Sequence, residues 1–123
     1  MLYQLTQVQF QKMLKNLSVI LNKGAAHAEA KKFDVAVLLN ARLAPDQFPL
    51  IRQVQIACDS AKLGVARLIG EVDAAPKHTD TETTLAELQQ RITETLDYLA
   101  SVTEDQFAGA AERHISQPRW EGK

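Results

Sequence analysis

The sequence contains very little cysteine, since Cys58 is its single thiol among 123 residues. An intramolecular disulfide is therefore impossible, and the paired Cys and His spacings of zinc sites are missing as well. The opening residues, Met-Leu-Tyr-Gln-Leu-Thr-Gln, show neither the basic region nor the apolar run of a signal peptide. No stretch reaches the roughly 18 apolar residues that a membrane span requires. We therefore expect a soluble protein of the reducing cytoplasm with no membrane partner.

The chain also lacks an excess of charge of either sign, because 14 basic side chains stand against 15 acidic ones and the formal net charge is −1. The basic residues are scattered among acidic ones, so we expect no cationic stripe for a phosphate backbone and no nucleic-acid partner. Glycine and proline are scarce, with five and four residues, which suits long helices joined by short connections. We interpret residues 1–123 as one domain.

Apolar residues recur at three- and four-residue steps in three long segments, which predicts amphipathic helices. The predicted elements are helices at about 6–32, 49–69 and 84–102, a short helix at about 35–42 and an extended tail at 110–118. Thr6 and Thr84 each begin a capping-box pattern, in which two side chains satisfy free backbone N–H groups. The predicted core face of the first helix comprises Phe10, Met13, Leu14, Leu17, Ile20, Leu21, Gly24 and Ala28.

Residues 38–50, with the sequence LLNARLAPDQFPL, form the joint before the second long helix, and we call them the elbow. Pro45 stops the short helix, because the residue before a proline is pushed from helical angles. Pro49 suits the first turn of a helix, where a missing N–H costs nothing. The two prolines predict a stiff connection with a helix beginning within two residues of Pro49.

Residues 71–83 contain no periodic apolar residues and are predicted to form a loop that crosses an end of the bundle. Within it, Thr79 to Thr84 is interpreted as a solvated loop followed by a helix cap. On the helix that follows, Glu87 and Arg91 stand four residues apart and predict an ion pair on its outer face.

Three stretches carry a family resemblance: MLKNLSVILNKGAAHAEAKKFD, LLNARLAPDQFPLIRQVQIACDSAK and DTETTLAELQQRI. Together they resemble an uncharacterised bacterial family of unknown function within the DinB-like (YfiT-like) four-helix-bundle superfamily. The resemblance extends over essentially the whole chain, and its most specific element is the elbow with the Gln-Val-Gln-Ile-Ala run at 53–57. It implies an all-α, up-down helical bundle with three long helices here and a fourth, carrying histidines and aromatics, absent from the chain.

Metal-binding members of this superfamily place one histidine on the second helix and two on the fourth. This chain carries Gln53 and Gln55 in the relevant turns of its second long helix. A neutral amide is a poor replacement for imidazole at a zinc or nickel site. The superfamily's metal chemistry therefore does not transfer, and we predict no metal at Gln53, Gln55 or His27 and no cofactor.

The best candidate for a polar cluster in the sequence lies around the elbow and consists of Asn40, Arg42, Arg52 and Asp59. Arg52 and Asp59 lie seven residues apart, on one face of the predicted helix. One interpretation is an anion site at the helix N-terminus, where free N–H groups and the helix dipole favour negative charge. The other, which we favour, is structural: Asn40 and Arg42 satisfy carbonyls left open by the short helix and the proline corner.

The remaining titratable candidates are three histidines and the cysteine. His27 lies at the edge of the predicted core face, and a buried, hydrogen-bonded structural histidine is favoured over a ligand-binding one. His78 and His114 have no second ligand three or four residues away, so both are expected in solvent. Cys58 lies on the predicted core stripe, where a thiol acts as a small hydrophobe with a raised pKa.

Two classes of function stay open. The first is a non-catalytic helical-bundle module that self-associates or holds a small ligand between its helices. The second is a metal- or thiol-dependent transferase or isomerase of the DinB-like superfamily, and we favour the first. A bundle without its fourth helix would leave a groove lined by Phe10, Leu17, Val54 and Leu96, so we expect a two-fold homodimer that covers it.

Overall fold

The structure is a computed structural model that describes residues 2–112. This part of the chain contains helices and no strand, and the predicted all-α bundle is confirmed. A π-helical turn at Gln4–Val8 leads into α1 (Gln9–Ala30), followed by α2 (Ala36–Leu39), α3 (Leu50–Ile69) and α4 (Leu85–Ser101). Short 3-10 turns lie at Val72–Ala74, Glu104–Phe107 and Ala110–Glu112. None of the helices in the described range combines the length and the apolar character needed to cross a lipid bilayer.

α4 packs along both α1 and α3, whereas α1 and α3 have few contacts with each other. Gln7, just before α1, donates its amide Nε2 to the carbonyl of Leu99 near the end of α4 at 2.5 Å, so α1 and α4 are antiparallel. Asp59 and Arg91 join the middles of α3 and α4 at 2.8 Å. Gly64, in the second half of α3, lies against Phe10 near the start of α1, so α1 and α3 are antiparallel. Because α4 is also antiparallel to α1, α3 and α4 run parallel.

Two parallel helices that follow each other in the chain need a connection that returns along the length of the bundle. Residues 71–84 form this connection between α3 and α4, and we call them the crossover segment. Asp80 of this segment lies 2.7 Å from Arg52, near the start of α3. The prediction that this loop merely crosses an end of the bundle is therefore wrong, because it runs back beside α3.

The predicted apolar stripe of α4 forms the centre of the core. Leu88, Ile92 and Leu99 are fully buried there, and Leu85 and Leu96 are partly buried. Their buried partners on the other helices are Leu14, Leu21, Val54, Cys58, Ala61, Val65 and Ile69. Burial of this kind, at about 25 cal/mol per Å² of apolar surface, is the main stabilising contribution in a small bundle.

The predicted ends of α3 are confirmed. The helix begins at Leu50, one residue after Pro49, and it ends at Gly70, whose φ of 76° places it in the left-handed region. Glycine is favoured there because it has no Cβ to clash with the backbone.

The predicted start of α1 at a Thr6 capping box is wrong, because the helical turn begins earlier. Thr6 donates its hydroxyl to the carbonyl of Leu2 at 2.6 Å, within a continuous helical segment. Gln7 is buried, and its Nε2 also lies 3.3 Å from the carbonyl of Val102. The Gln7 amide thus donates to carbonyls at the end of α4, and the Leu99 carbonyl also accepts the N–H of Val102 at 3.2 Å.

Three further boundaries differ from the predictions. α1 ends at Ala30 instead of about residue 32, since Lys32 adopts a φ of 62° and Phe33 donates its N–H to Ala28. The short helix covers only Ala36–Leu39 instead of 35–42. The predicted extended tail starts with a 3-10 turn at Ala110–Glu112, and its remainder at 113–118 lies outside the described residues.

We expect Thr84→Ala to lower the free energy of unfolding by about 1 kcal/mol. The Thr84 hydroxyl accepts the N–H of Glu87, and the Glu87 carboxylate accepts the N–H of Thr84, each at 3.2 Å, so both halves of the capping box are present. Urea unfolding followed by circular dichroism measures the change. The control is Thr93→Ala, an exposed position on the same helix, and an equal loss in both variants would contradict the capping role.

Candidate functional site

The elbow is held by hydrogen bonds from its own side chains. Asn40 donates its Nδ2 to the carbonyl of Ala36 at 2.8 Å, and Arg42 donates Nη1 to the carbonyl of Gln47 at 3.0 Å. The N–H of Leu50 reaches the carbonyl of Ala41 at 2.9 Å and ties the start of α3 to the end of the short helix. The structural role predicted for Asn40 and Arg42 is confirmed.

The four residues predicted as one polar cluster separate into two groups. Asn40 and Arg42 stay with the elbow carbonyls, whereas Arg52 and Asp59 turn toward the crossover segment and α4. Arg52 also lies over the ring of Phe48, 5.9 Å from its centroid. The single anion site that would use all four is therefore not formed, and binding by the individual residues stays a prediction.

Arg91 is the centre of a buried ionic cluster that sequence reasoning missed. Its side chain is 2% exposed, and it pairs with Asp59 and Asp80 at 2.8 Å and with Glu82 at 2.6 Å. We call these four residues the Arg91 cluster. The predicted outer-face pair of Glu87 with Arg91 is wrong, because Arg91 points inward and Glu87 caps its own helix.

The crossover segment is correspondingly less solvated than predicted. Glu82 is only 10% exposed, and the carbonyl of Thr79 lies 3.4 Å from Arg91 Nη1. Arg91 holds the pKa of Asp80 below its ordinary range, chiefly through the direct hydrogen bond and further through charge attraction shared with Arg52. The cluster therefore fastens the returning chain to α3 and α4.

A second polar chain lies beside this cluster and includes His78, which was predicted to be in solvent. Lys62, which is buried, lies 3.0 Å from His78 Nδ1, and His78 Nε2 lies 2.9 Å from Glu94. Because a lysine ammonium has only donors, Nδ1 must accept and Nε2 carries the proton donated to Glu94. Hydrogen bonds from Gln90 first, and then from His78, lower the pKa of Glu94.

One sequence signal could have found these contacts. Lys62 falls four residues after Cys58 and three before Val65, so it lies on the predicted core stripe of α3. Similarly, Arg91 follows Leu88 by three residues on α4. A cation at an apolar position indicates a buried ion pair, although the pattern alone does not identify the carboxylate partner.

His27 and Cys58 differ in how well their environments were predicted. His27 is exposed on α1, with its ring edge-on to Phe33 at 6.0 Å, so the predicted burial is wrong. Cys58 is fully buried, and burial raises the pKa of its thiol as expected. Gln53 donates to the carbonyl of Phe48, and Gln55 is buried. His114 lies outside the described residues.

An apolar groove runs between α1 and α3, on the side of these helices that α4 does not cover. Its central cavity, of about 370 Å³, is lined on α1 by residues from Phe10 to Ile20 and on α3 by Ala57, Ser60 and Ala61. Met13 and Ile20 were predicted to be core residues but are 63% and 62% exposed at this groove.

A second cavity continues the groove at the elbow, and we call it the elbow cavity. It measures about 360 Å³ and shares Leu17 and Ile20 with the central cavity. Its other lining side chains come from α1, α2, the elbow and the first turn of α3: Leu21, Gly24, Val35, Leu38, Leu39, Ala41, Arg42, Leu43, Leu50 and Gln53. Of the residues predicted to line the open groove, Phe10 and Leu17 do so, whereas Val54 is buried and Leu96 lines neither cavity.

Comparison with known proteins identifies the family. Residues 2–123 match the family described as a domain of unknown function, DUF1993. The chain belongs to this family. A solved structure of a DinB family member protein from Shewanella denitrificans is 66% identical, with a TM-score of 0.96. It matches all of this DUF1993 chain, which covers 69% of the Shewanella chain. Among curated proteins, none matches.

Within residues 2–112, no three of the His, Cys, Asp and Glu side chains gather in a way that could hold a metal ion. The acidic side chains that come closest together, in the Arg91 cluster, surround a guanidinium. The arrangement neutralises a buried cation and positions the crossover segment. The α1–α3 groove, in contrast, offers uncovered apolar surface, and it is the candidate functional site.

We expect Arg91→Met to lower the free energy of unfolding by about 3 kcal/mol, because the change leaves the carboxylate of Glu82 poorly solvated and unpaired. Chemical denaturation at neutral pH measures the change. The control is Arg52→Met, whose side chain is 39% exposed, and there we expect a loss below about 1 kcal/mol. Equal losses in the two variants would contradict a dominant role for the buried cation.

Acid should weaken the same cluster. Because the pKa of Asp80 is lowered in the folded state, its carboxylate contributes stability above about pH 4, and this contribution is lost as the pH falls through the folded-state value. The Arg91→Met variant should accordingly lose less stability than the unchanged protein when the pH is lowered to about 3.

Proposed function

We propose that this DUF1993 chain is a non-catalytic binding module whose α1–α3 groove associates with a second copy of the chain. The observation that carries the proposal is the exposure of Met13 and Ile20, which are more than half exposed on the same face of α1. Both belong to one apolar stripe, of which Leu14 and Leu21 are buried in the core. The uncovered part of the stripe therefore faces the groove.

The opposite wall of the groove suits the close approach of another helix. Ala57, Ser60 and Ala61 line the groove on α3, and they lie three and four residues apart on one face. Gly64 lies against the ring of Phe10, which is 3.6 Å from where a Cβ would be. Small side chains on one wall and large aliphatic ones on the other form a surface into which helical side chains can pack.

Monomeric soluble proteins seldom expose apolar patches larger than several hundred Å². A two-fold dimer covers the same patch on both copies at once, and it needs no other partner. Such an interface should bury more than about 1,000 Å² in total, with Met13 and Ile20 near its centre.

A further helix is the competing occupant of the groove. The DinB-like resemblance implies a fourth helix, and this chain covers only 69% of the Shewanella chain. A peptide that corresponds to the uncovered part of that chain distinguishes the two occupants. If the peptide binds and dissociates the dimer, the groove is a site for such a helix; if the dimer is unaffected, the second copy is favoured.

The enzyme alternative is a metal- or thiol-dependent transferase or isomerase of the DinB-like superfamily, and the DinB family neighbour supports it only through the fold. The thiol form is disfavoured because Cys58 is fully buried and its pKa is raised. Stoichiometric zinc or nickel in the purified protein would support the metal form.

We expect Met13→Glu to convert a dimer into a folded monomer, because the change places a carboxylate at the centre of the apolar interface. Light scattering at micromolar concentration measures the mass, and circular dichroism checks the fold. Val19→Glu is the matched control, since Val19 is 52% exposed on α1 but lines neither cavity. A monomeric unchanged protein, or equal loss of the dimer in both variants, would contradict the proposal.

A further inference from the structure

We propose that the elbow cavity binds an aliphatic carboxylate of medium chain length, with its hydrocarbon chain among the aliphatic side chains and its carboxylate at Arg42. This binding site lies within a single chain, so the proposal does not depend on self-association. Four observations support it: the cavity's size, its lining, the charge at Arg42 and the space beside Gly24.

The cavity is an open pocket at the surface, with Leu43, 88% exposed, in its lining. Its volume of about 360 Å³ lies within the range of small-molecule sites, which are roughly 300 to 1,000 Å³. From Leu17 to Gly24 the cavity follows α1 for roughly 10 Å at 1.5 Å per residue, comparable with an extended acyl chain of medium length.

The lining favours a hydrocarbon over a polar molecule. Apart from Arg42 and Gln53, the lining side chains are aliphatic or absent, and the Gln53 amide Nε2 is already donated to Phe48 at 2.9 Å. Water gains little in such a space, because an ordered water needs two to four polar partners. An aliphatic chain loses no hydrogen bond there and gains apolar contact.

Arg42 supplies the charge that selects an anion. None of the ion pairs found within residues 2–112 includes Arg42, and its single hydrogen bond there goes to the neutral carbonyl of Gln47 through Nη1. A guanidinium carries five N–H donors in a planar fork that matches a carboxylate. The cation at the edge of an apolar cavity is therefore complementary to an amphiphile with a negative head.

A substitution at Gly24 can fill the cavity while leaving the charge of Arg42 unchanged. A Cβ at this position would lie 3.7 Å from Cδ1 of Leu38, which is ordinary van der Waals contact. Gly24→Leu should therefore fit at its Cβ and extend the rest of the side chain into the cavity. The change also replaces a poor helix former within α1 by a good one, so the helix should be retained.

Decanoate below its micellar concentration is the probe, and isothermal titration calorimetry measures its binding. We expect saturable binding at one site per chain, about tenfold weaker binding to Arg42→Gln because a charge-assisted hydrogen bond is lost, and no measurable binding to Gly24→Leu. Arg67→Gln is the matched control, because Arg67 is an arginine of α3 that does not line the cavity. Decanol, which has the same chain without the charge, should bind more weakly than decanoate.

The Met13→Glu variant separates this site from self-association, because Met13 lines only the central cavity. Because Leu17 and Ile20 line both cavities, a second copy on the groove would also cover part of the elbow cavity, so decanoate should bind this monomeric variant at least as tightly as it binds the unchanged protein. The proposal is overturned if decanoate does not bind, if Arg42→Gln or a folded Gly24→Leu binds it equally well, or if binding is lost in Met13→Glu.

Discussion

The apolar stripe of α4 packs against α1 and α3 at once, and this two-sided packing determines where the rest of the molecule lies. Because α4 fills the space beside both helices, α1 and α3 meet each other only slightly, and the outer part of the α1 stripe keeps no partner within residues 2–112. The groove is thus a consequence of the core. The core residues Leu14 and Leu21 directly follow the exposed Met13 and Ile20 along α1.

Parallel packing of α3 and α4 imposes a second requirement, since the crossover segment must return along the bundle. The Arg91 cluster meets it with a buried guanidinium and three carboxylates from α3 and the returning chain. Buried ion pairs give little net stability compared with apolar packing, but removing one member leaves an unpaired charge. Their effect here is to fix one path for a segment that has few apolar residues of its own.

The sequence predicts well those features that depend on near neighbours. The Thr84 capping box, the Gly70 helix end, the helix start after Pro49 and the α4 stripe all arise from residues within one or two turns of each other. Features that depend on distant partners were predicted less well. The apolar periodicity places Met13 on the stripe of α1, but it does not show which helix covers that residue. Likewise, no local pattern shows that Arg91 pairs with Asp80 and Glu82, whereas the spacing of four residues suggested Glu87. The resemblance to the DinB-like superfamily predicted the helical bundle. The cavities depend on the distances between packed helices, which no single segment of the sequence determines.

We propose that a second copy covers the α1–α3 groove. Intermolecular paramagnetic relaxation detects this arrangement, with a spin label on Lys12→Cys in one population and isotope-labelled methyl groups in another. Lys12 is exposed on α1 and lines neither cavity, so the label does not fill the groove. The buried native Cys58 should not compete for the label. If the second copy lies there, we expect selective broadening of methyl groups at Met13, Leu17, Ile20 and Ala57 of the unlabelled copy. Absence of intermolecular broadening, or broadening centred on Leu5 and Val19 outside the groove, would contradict it.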